Sequence, residues 1–170
     1  LDVAAFHLTV PEGASEVVAR FDFLTPTAGN QGRIVMTPSM LNLQTISTVL
    51  YPAGYYARRI PVDMRVTYPS GWTAFTALHE DGRNGDTVDY EDVPLDILVD
   101  SPVYAGRHAR NIDLTPAGSK VPVKLGVVAD EAKYLETKPE QVKVHQAMLL
   151  QALKLFGAQH YDHYQFLLSL

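Results

Sequence analysis

The chain has 170 residues, 46% of them hydrophobic, and a formal net charge of −5. That is enough apolar material for a packed core and excludes a disordered chain. The absence of cysteine excludes disulfides, thiolate metal sites and a cysteine nucleophile. No basic run exceeds Arg58-Arg59 and no apolar run approaches the roughly 20 residues that span a bilayer, so neither nucleic acid nor a membrane is an expected partner.

In chain order, Ala4 to Val10 alternates apolar and polar residues and predicts a strand, closed by Pro11-Glu12-Gly13. Glu16 to Leu24 alternates again, with Val17, Ala19, Phe21 and Phe23 on one face, and a loop follows over Thr25 to Gly32. Met40 to Leu50 is rich in Leu, Ile, Thr and Val and reads as a strand. Tyr51-Pro52-Ala53-Gly54-Tyr55-Tyr56 is a tight aromatic loop. Ile60 to Tyr68 is a strand with Val62, Met64, Val66 and Tyr68 on one face. Pro69-Ser70-Gly71 turns it, and Trp72 to His79 is expected to return as its partner. Val88 to Tyr90, Leu95 to Val99, Asn111 to Leu114 and Val121 to Val128 complete the set of short strands. Many short strands separated by Pro, Gly, Asn and Asp predict an antiparallel, sandwich-like β domain over residues 1–130.

After the charged break Asp130-Glu131-Ala132-Lys133 the period changes from two to 3.6. A helix is expected over Thr137 to Phe156, with Thr137 as cap, Pro139 in the first turn, Glu140 bonding back to free donors and Gly157 as the stop. Its apolar stripe is Val142, His145, Met148, Leu149, Ala152, Leu153 and Phe156, of which Met148, Leu149, Leu153 and Phe156 should pack against the rest of the chain or a second copy. Residues 162–170 then read as a strand, apolar on both faces in its last half and so suited to the inside of a sheet. A chain that ends on such a strand, and opens on Leu1 in place of methionine, is expected to be part of a longer protein, and no compartment is read from it. Residues 131–170 would then be the first elements of a second domain, and the strand edge invites self-association.

Motifs for catalysis are sparse. His79-Glu80-Asp81-Gly82-Arg83 begins like the zinc motif H-E-x-x-H, but Arg83 stands at the fifth position and Asp81-Gly82 favours a solvated turn. His160 and His163, flanking Asp162, would point to opposite faces of a strand, and His145 reads as a core histidine. Neither a metal-ligand set nor a catalytic residue is therefore expected in this chain. Asp96, Asp100 and Glu91-Asp92 read as solvated loop acids. Tyr51, Tyr55 and Tyr56 offer either a binding lip or aromatic packing over one end of the β domain.

Four stretches, in this order and spacing, resemble the glycyl aminopeptidases, the zinc metallopeptidase family numbered sixty-one. They are Leu50-Tyr51-Pro52-Ala53-Gly54; Pro69-Ser70-Gly71-Trp72-Thr73-Ala74 with Ala77-Leu78; Leu98-Val99-Asp100-Ser101-Pro102-Val103 with Gly106; and Leu155-Phe156-Gly157-Ala158 leading into Tyr161 to Leu168. The resemblance implies an all-β N-terminal domain followed by a thermolysin-like catalytic domain, with helix and strand 137–170 opening the latter. It implies a parent enzyme that binds zinc and removes N-terminal Gly or Ala from peptides. The H-E-x-x-H helix and glutamate ligand that would hold the zinc are not in this sequence, so no cofactor is expected in the piece itself. The partners implied are the rest of the catalytic domain and, in the parent, a peptide. By analogy with larger two-domain zinc aminopeptidases, Tyr51, Tyr55, Asp100 and Ser101 are the substrate-cleft candidates. The alternatives are a stand-alone β-sandwich module binding carbohydrate or protein, and a fragment of a peptidase-like protein without a zinc site.

Overall fold

The computed structural model describes residues 5–25 and 35–170. It is mostly β, with antiparallel pairing in every sheet and one long helix near the end. The first sheet runs β1 (Val35–Met36), β2 (Met40–Leu43), β9 (Val103–Gly106), β5 (Thr73–Phe75), all antiparallel. The second runs β4 (Arg65–Thr67), β7 (Thr87–Tyr90), β6 (Glu80–Asn84). A two-stranded piece pairs β3 (Pro61–Val62) with β8 (Val93–Pro94). The third sheet places β11 (Val123–Ala129) between β10 (His108–Asp113), antiparallel to it, and β12 (Tyr164–Ser169), parallel to it. This sheet joins strands from both sides of Asp130.

A parallel neighbour needs a crossover, and the helix α2 (Pro139–Phe156) provides it between β11 and β12. Pro139 occupies its first turn, and Gly157 ends it in the left-handed conformation at φ 71°. The cap is not Thr137, whose hydroxyl donates to the Leu135 carbonyl; the Lys138 N–H instead donates to the Gln141 side chain at 3.0 Å. Of the expected apolar stripe, Leu149 is buried against Ile112, Leu114, Val123 and Val127, with Val142 beside it. Leu153 is half-buried, while His145, Met148 and Phe156 are exposed. The apolar stripe is wider than the sheet contact, so only one border of it is covered.

The main core gathers Tyr68, Leu78, Val88, Tyr90, Leu95, Leu98, Val103 and Ala105. A smaller cluster of Met40, Phe75 and Val128 joins the first sheet to the third, where the Phe75 ring lies on the bare backbone of Gly126.

Several expected elements differ. Residues 5–25 hold a turn at Glu12-Gly13 but no strand, and Phe6, Leu8, Val18 and Phe21 are exposed; alternation alone supplies no ladder partner. Ala4 and most of the Thr25 to Gly32 loop lie outside the described residues. The strand expected over Met40 to Leu50 ends at Leu43 and continues as a 3-10 turn, Thr45–Ser47. Leu95–Val99 is a short helix, α1, not a strand: Leu95 and Leu98, three apart, are its buried pair, which is helical spacing. Trp72 to His79 does not return against Ile60 to Tyr68; β5 pairs with β9, and β4 pairs with β7. Glu80 to Arg83 is not a turn but lies in β6, with a bulge between Glu80 and Gly82, and His79 stands just before the strand. Finally, β12 is an edge strand among the described residues, half-buried rather than enclosed.

Candidate functional site

Two places merit description. The first holds the residues expected to face a substrate. Tyr51 and Tyr55 stand exposed on the loop around Gly54, whose φ of 85° makes the tight turn, so the aromatic loop does not pack over the sheets. Asp100 is exposed at the end of α1, while Ser101 is buried, its hydroxyl donating to the Ile97 carbonyl at 2.8 Å. Thr45 ties the two regions together, donating from its buried hydroxyl to the Leu98 carbonyl at 2.7 Å. The clasp fixes the 3-10 turn that precedes the Tyr51 loop against the end of α1; among the described residues no hydrogen bond links Tyr51 or Tyr55 to Asp100 or Ser101. A groove runs alongside, lined by Phe21, Leu43, Thr45, Val49, Met64 and Leu98.

The second place is a cluster that no single motif announced. His79, Asp162 and His163 offer ligand-type atoms that all lie within 4.8 Å of one another. His79 is held by its backbone: the neighbouring Leu78 is in the core, and the Glu91 N–H donates to the His79 carbonyl at 3.0 Å. His163 is held by the start of β12, where the Tyr164 N–H donates to the Pro122 carbonyl at 2.9 Å. Asp162 spans both rings, with Oδ1 2.7 Å from His163 Nδ1 and Oδ2 3.3 Å from His79 Nε2. The contacts with His163, then with His79, hold its carboxyl below the usual carboxylate range. The other His163 nitrogen, Nε2, meets the Ala77 carbonyl at 2.9 Å, and the two imidazole centroids are 4.4 Å apart.

His160 stays outside this group. On β6, Glu80 pairs with Arg83 through two hydrogen bonds. What the linear reading missed is that His79 and His163 meet across 83 residues of separation between His79 and Asp162. Neither the i, i+3 spacing of His160 and His163 nor the H-E pair carries that information.

A search of curated proteins found no match. Among solved structures, a crystal structure of an aminopeptidase N family protein from Idiomarina loihiensis is similar in fold, with a TM-score of 0.57 and 15% identity, over 80% of this chain and 22% of that one. The chain therefore spans about a fifth of that protein's length. The family model described as the Peptidase M61 N-terminal domain matches residues 1–107. That match covers well over half of the chain, which belongs to the M61 peptidase family and carries its N-terminal domain.

Proposed function

We propose that this chain is the non-catalytic N-terminal region of a zinc-dependent aminopeptidase that removes N-terminal Gly or Ala from peptides, and that it forms one wall of the substrate cleft. The observation that carries the reading is the match of residues 1–107 to the M61 N-terminal domain, followed by a helix and a strand that join the third sheet. In the resembled family a zinc-activated water attacks the first peptide carbonyl with a glutamate as general base. The sequence here contains no H-E-x-x-H, so those steps belong to residues outside it. This chain's share is shape: exposed tyrosines on the loop around Gly54 offer apolar area and a hydroxyl to a peptide, and Asp100 offers a carboxylate to its free amino terminus.

Aminopeptidase assays on the full-length protein test the reading. Tyr51→Ala and Asp100→Ala should each lower kcat/KM for Gly- and Ala-initiated peptides by about tenfold, in line with one lost hydrogen bond or aromatic contact. The melting temperature should hold, because both side chains are exposed. Unchanged turnover in both variants would remove this loop from the cleft.

A further inference from the structure

We propose that His79, Asp162 and His163 form a binding site for a divalent first-row metal, zinc in the first instance, which fastens the β5–β6 connection to the entrance of β12. The argument begins with counting donors. A carbonyl oxygen only accepts, so the Ala77 contact requires the hydrogen of His163 to sit on Nε2. In the neutral ring Nδ1 is then a bare lone pair, and it faces Asp162 Oδ1 at 2.7 Å, another lone pair. At that distance a proton shared between them relieves the repulsion, and a metal would draw on the same two lone pairs once the pair opens to about 3.3 Å, the tetrahedral edge for zinc.

The rest of the geometry suits a metal. A histidine ligand whose second nitrogen donates to a backbone carbonyl is the usual arrangement at metal centres, because it sets the tautomer and aims the free nitrogen. His79 Nε2 is 3.3 Å from Asp162 Oδ2, close to the edge of a tetrahedron around zinc with bonds of about 2.0–2.1 Å. The His163–Asp162 pair needs only a small opening from 2.7 Å, and Asp162 is free to move because its side chain is 77% exposed. Two imidazoles and one carboxylate, open to water on the fourth side, form a borderline donor set that favours zinc, copper or nickel over magnesium or calcium. Both histidines are anchored by backbone hydrogen bonds on separate elements, so the site is built by the fold and not by one flexible loop.

Calorimetric titration of the full 170-residue chain with zinc chloride tests the proposal. One zinc per chain is expected, with a dissociation constant on the order of micromolar for a three-ligand exposed site. Asp162→Asn and His79→Gln should each weaken it at least about tenfold, while His160→Gln and His145→Gln leave it unchanged. Cobalt should bind the wild type with the intense visible absorption of tetrahedral coordination, and that absorption should vanish in the two ligand variants. Asp162→Asn alters an exposed side chain, so its zinc-free circular dichroism melt should match the wild type and make it the deciding variant if His79→Gln folds poorly. Histidine ring NMR separates the two cations: zinc should displace the Nδ1 proton of His163. No binding at millimolar zinc, equal affinity in Asp162→Asn, or a His163 ring that keeps both protons in excess zinc would overturn the site and leave the proton as the cation that joins these groups.

Discussion

At the scale of single residues, two contacts decide how the sheets close. Gly126 sits in the middle of β11, and a Cβ built there would lie 2.5 Å from Cγ of Phe75 and 2.7 Å from its Cβ. Those atoms lie near the root of a buried ring and cannot swing aside, so the first and third sheets would have to separate. Gly126→Ala should therefore destabilise the fold by about 1–3 kcal/mol, the usual range for overpacking, measured by urea denaturation. A variant as stable as the wild type would mean that Phe75 is not the spacer between the sheets. The second contact is the buried pair Tyr68 and Tyr90, hydroxyl to hydroxyl at 2.7 Å. Burial pushes both phenols up, with the shared hydrogen bond adding to the rise at Tyr68. The unfolded chain releases such protons near pH 10, while the folded chain keeps them. Their contribution to stability is thus complete below about pH 10 and falls as pH rises above it. Tyrosinate absorbance should show two of the nine tyrosines ionising only as the protein unfolds. Tyr68→Phe alone should cost about 1–3 kcal/mol by orphaning the Tyr90 hydroxyl, whereas the double Phe variant should recover most of that loss.

At the scale of elements, α2 shows how tertiary contact selects from an amphipathic pattern. A helix of this length is marginal by itself in water, and its order comes from the face that packs. Leu149 fills the hollow formed by Ile112, Leu114, Val123 and Val127, and the neighbouring Met148 points to solvent. Leu149→Ala should cost about 2–5 kcal/mol, while Met148→Ala should stay within about 0.5 kcal/mol. Equal losses at the two positions, read from denaturant midpoints, would show that the helix sits rotated from the face described. Short helix α1 carries the same lesson in reverse: five residues that look like a strand by composition become helical because Leu95 and Leu98 must both reach the core.

At the scale of the whole molecule, exposed apolar side chains recur along residues 5–25, on the loop from Leu50 to Tyr56, and on α2 and β12. Val144, Met148 and Leu155 share one outward face of the helix, with Phe156 at its end, and Leu155 is 77% exposed. Beyond β12 no described strand continues the third sheet. An open strand edge and an exposed apolar helix face each favour pairing with a second copy. Light scattering should show reversible self-association that increases with concentration. Leu155→Lys combined with Phe156→Glu should abolish it without altering the melt, since neither side chain is in a core. A protein that is monomeric at every concentration would show that this face is tolerated in water.

What the amino-acid sequence determined by itself is local. The left-handed glycines Gly54, Gly71 and Gly157 stand where turns or a helix end were expected, because a positive φ is a property of one residue and its neighbours. The alternation of Val62, Met64, Val66 and Tyr68 marks one face of an extended run, and all four face inward. The ordered stretches from Leu50 to Leu168 carried the family resemblance. Tertiary structure alone decided which strands pair, because ladder hydrogen bonds join backbone to backbone and bear no side-chain label. That is why β5 lies against β9, why Val123–Ala129 takes β12 as a parallel neighbour, and why residues 5–25 alternate without forming a strand. The meeting of His79 with Asp162 and His163 belongs to the same class: each histidine looks solvated in its own stretch, and only the closing of β12 onto β11 carries one to the other.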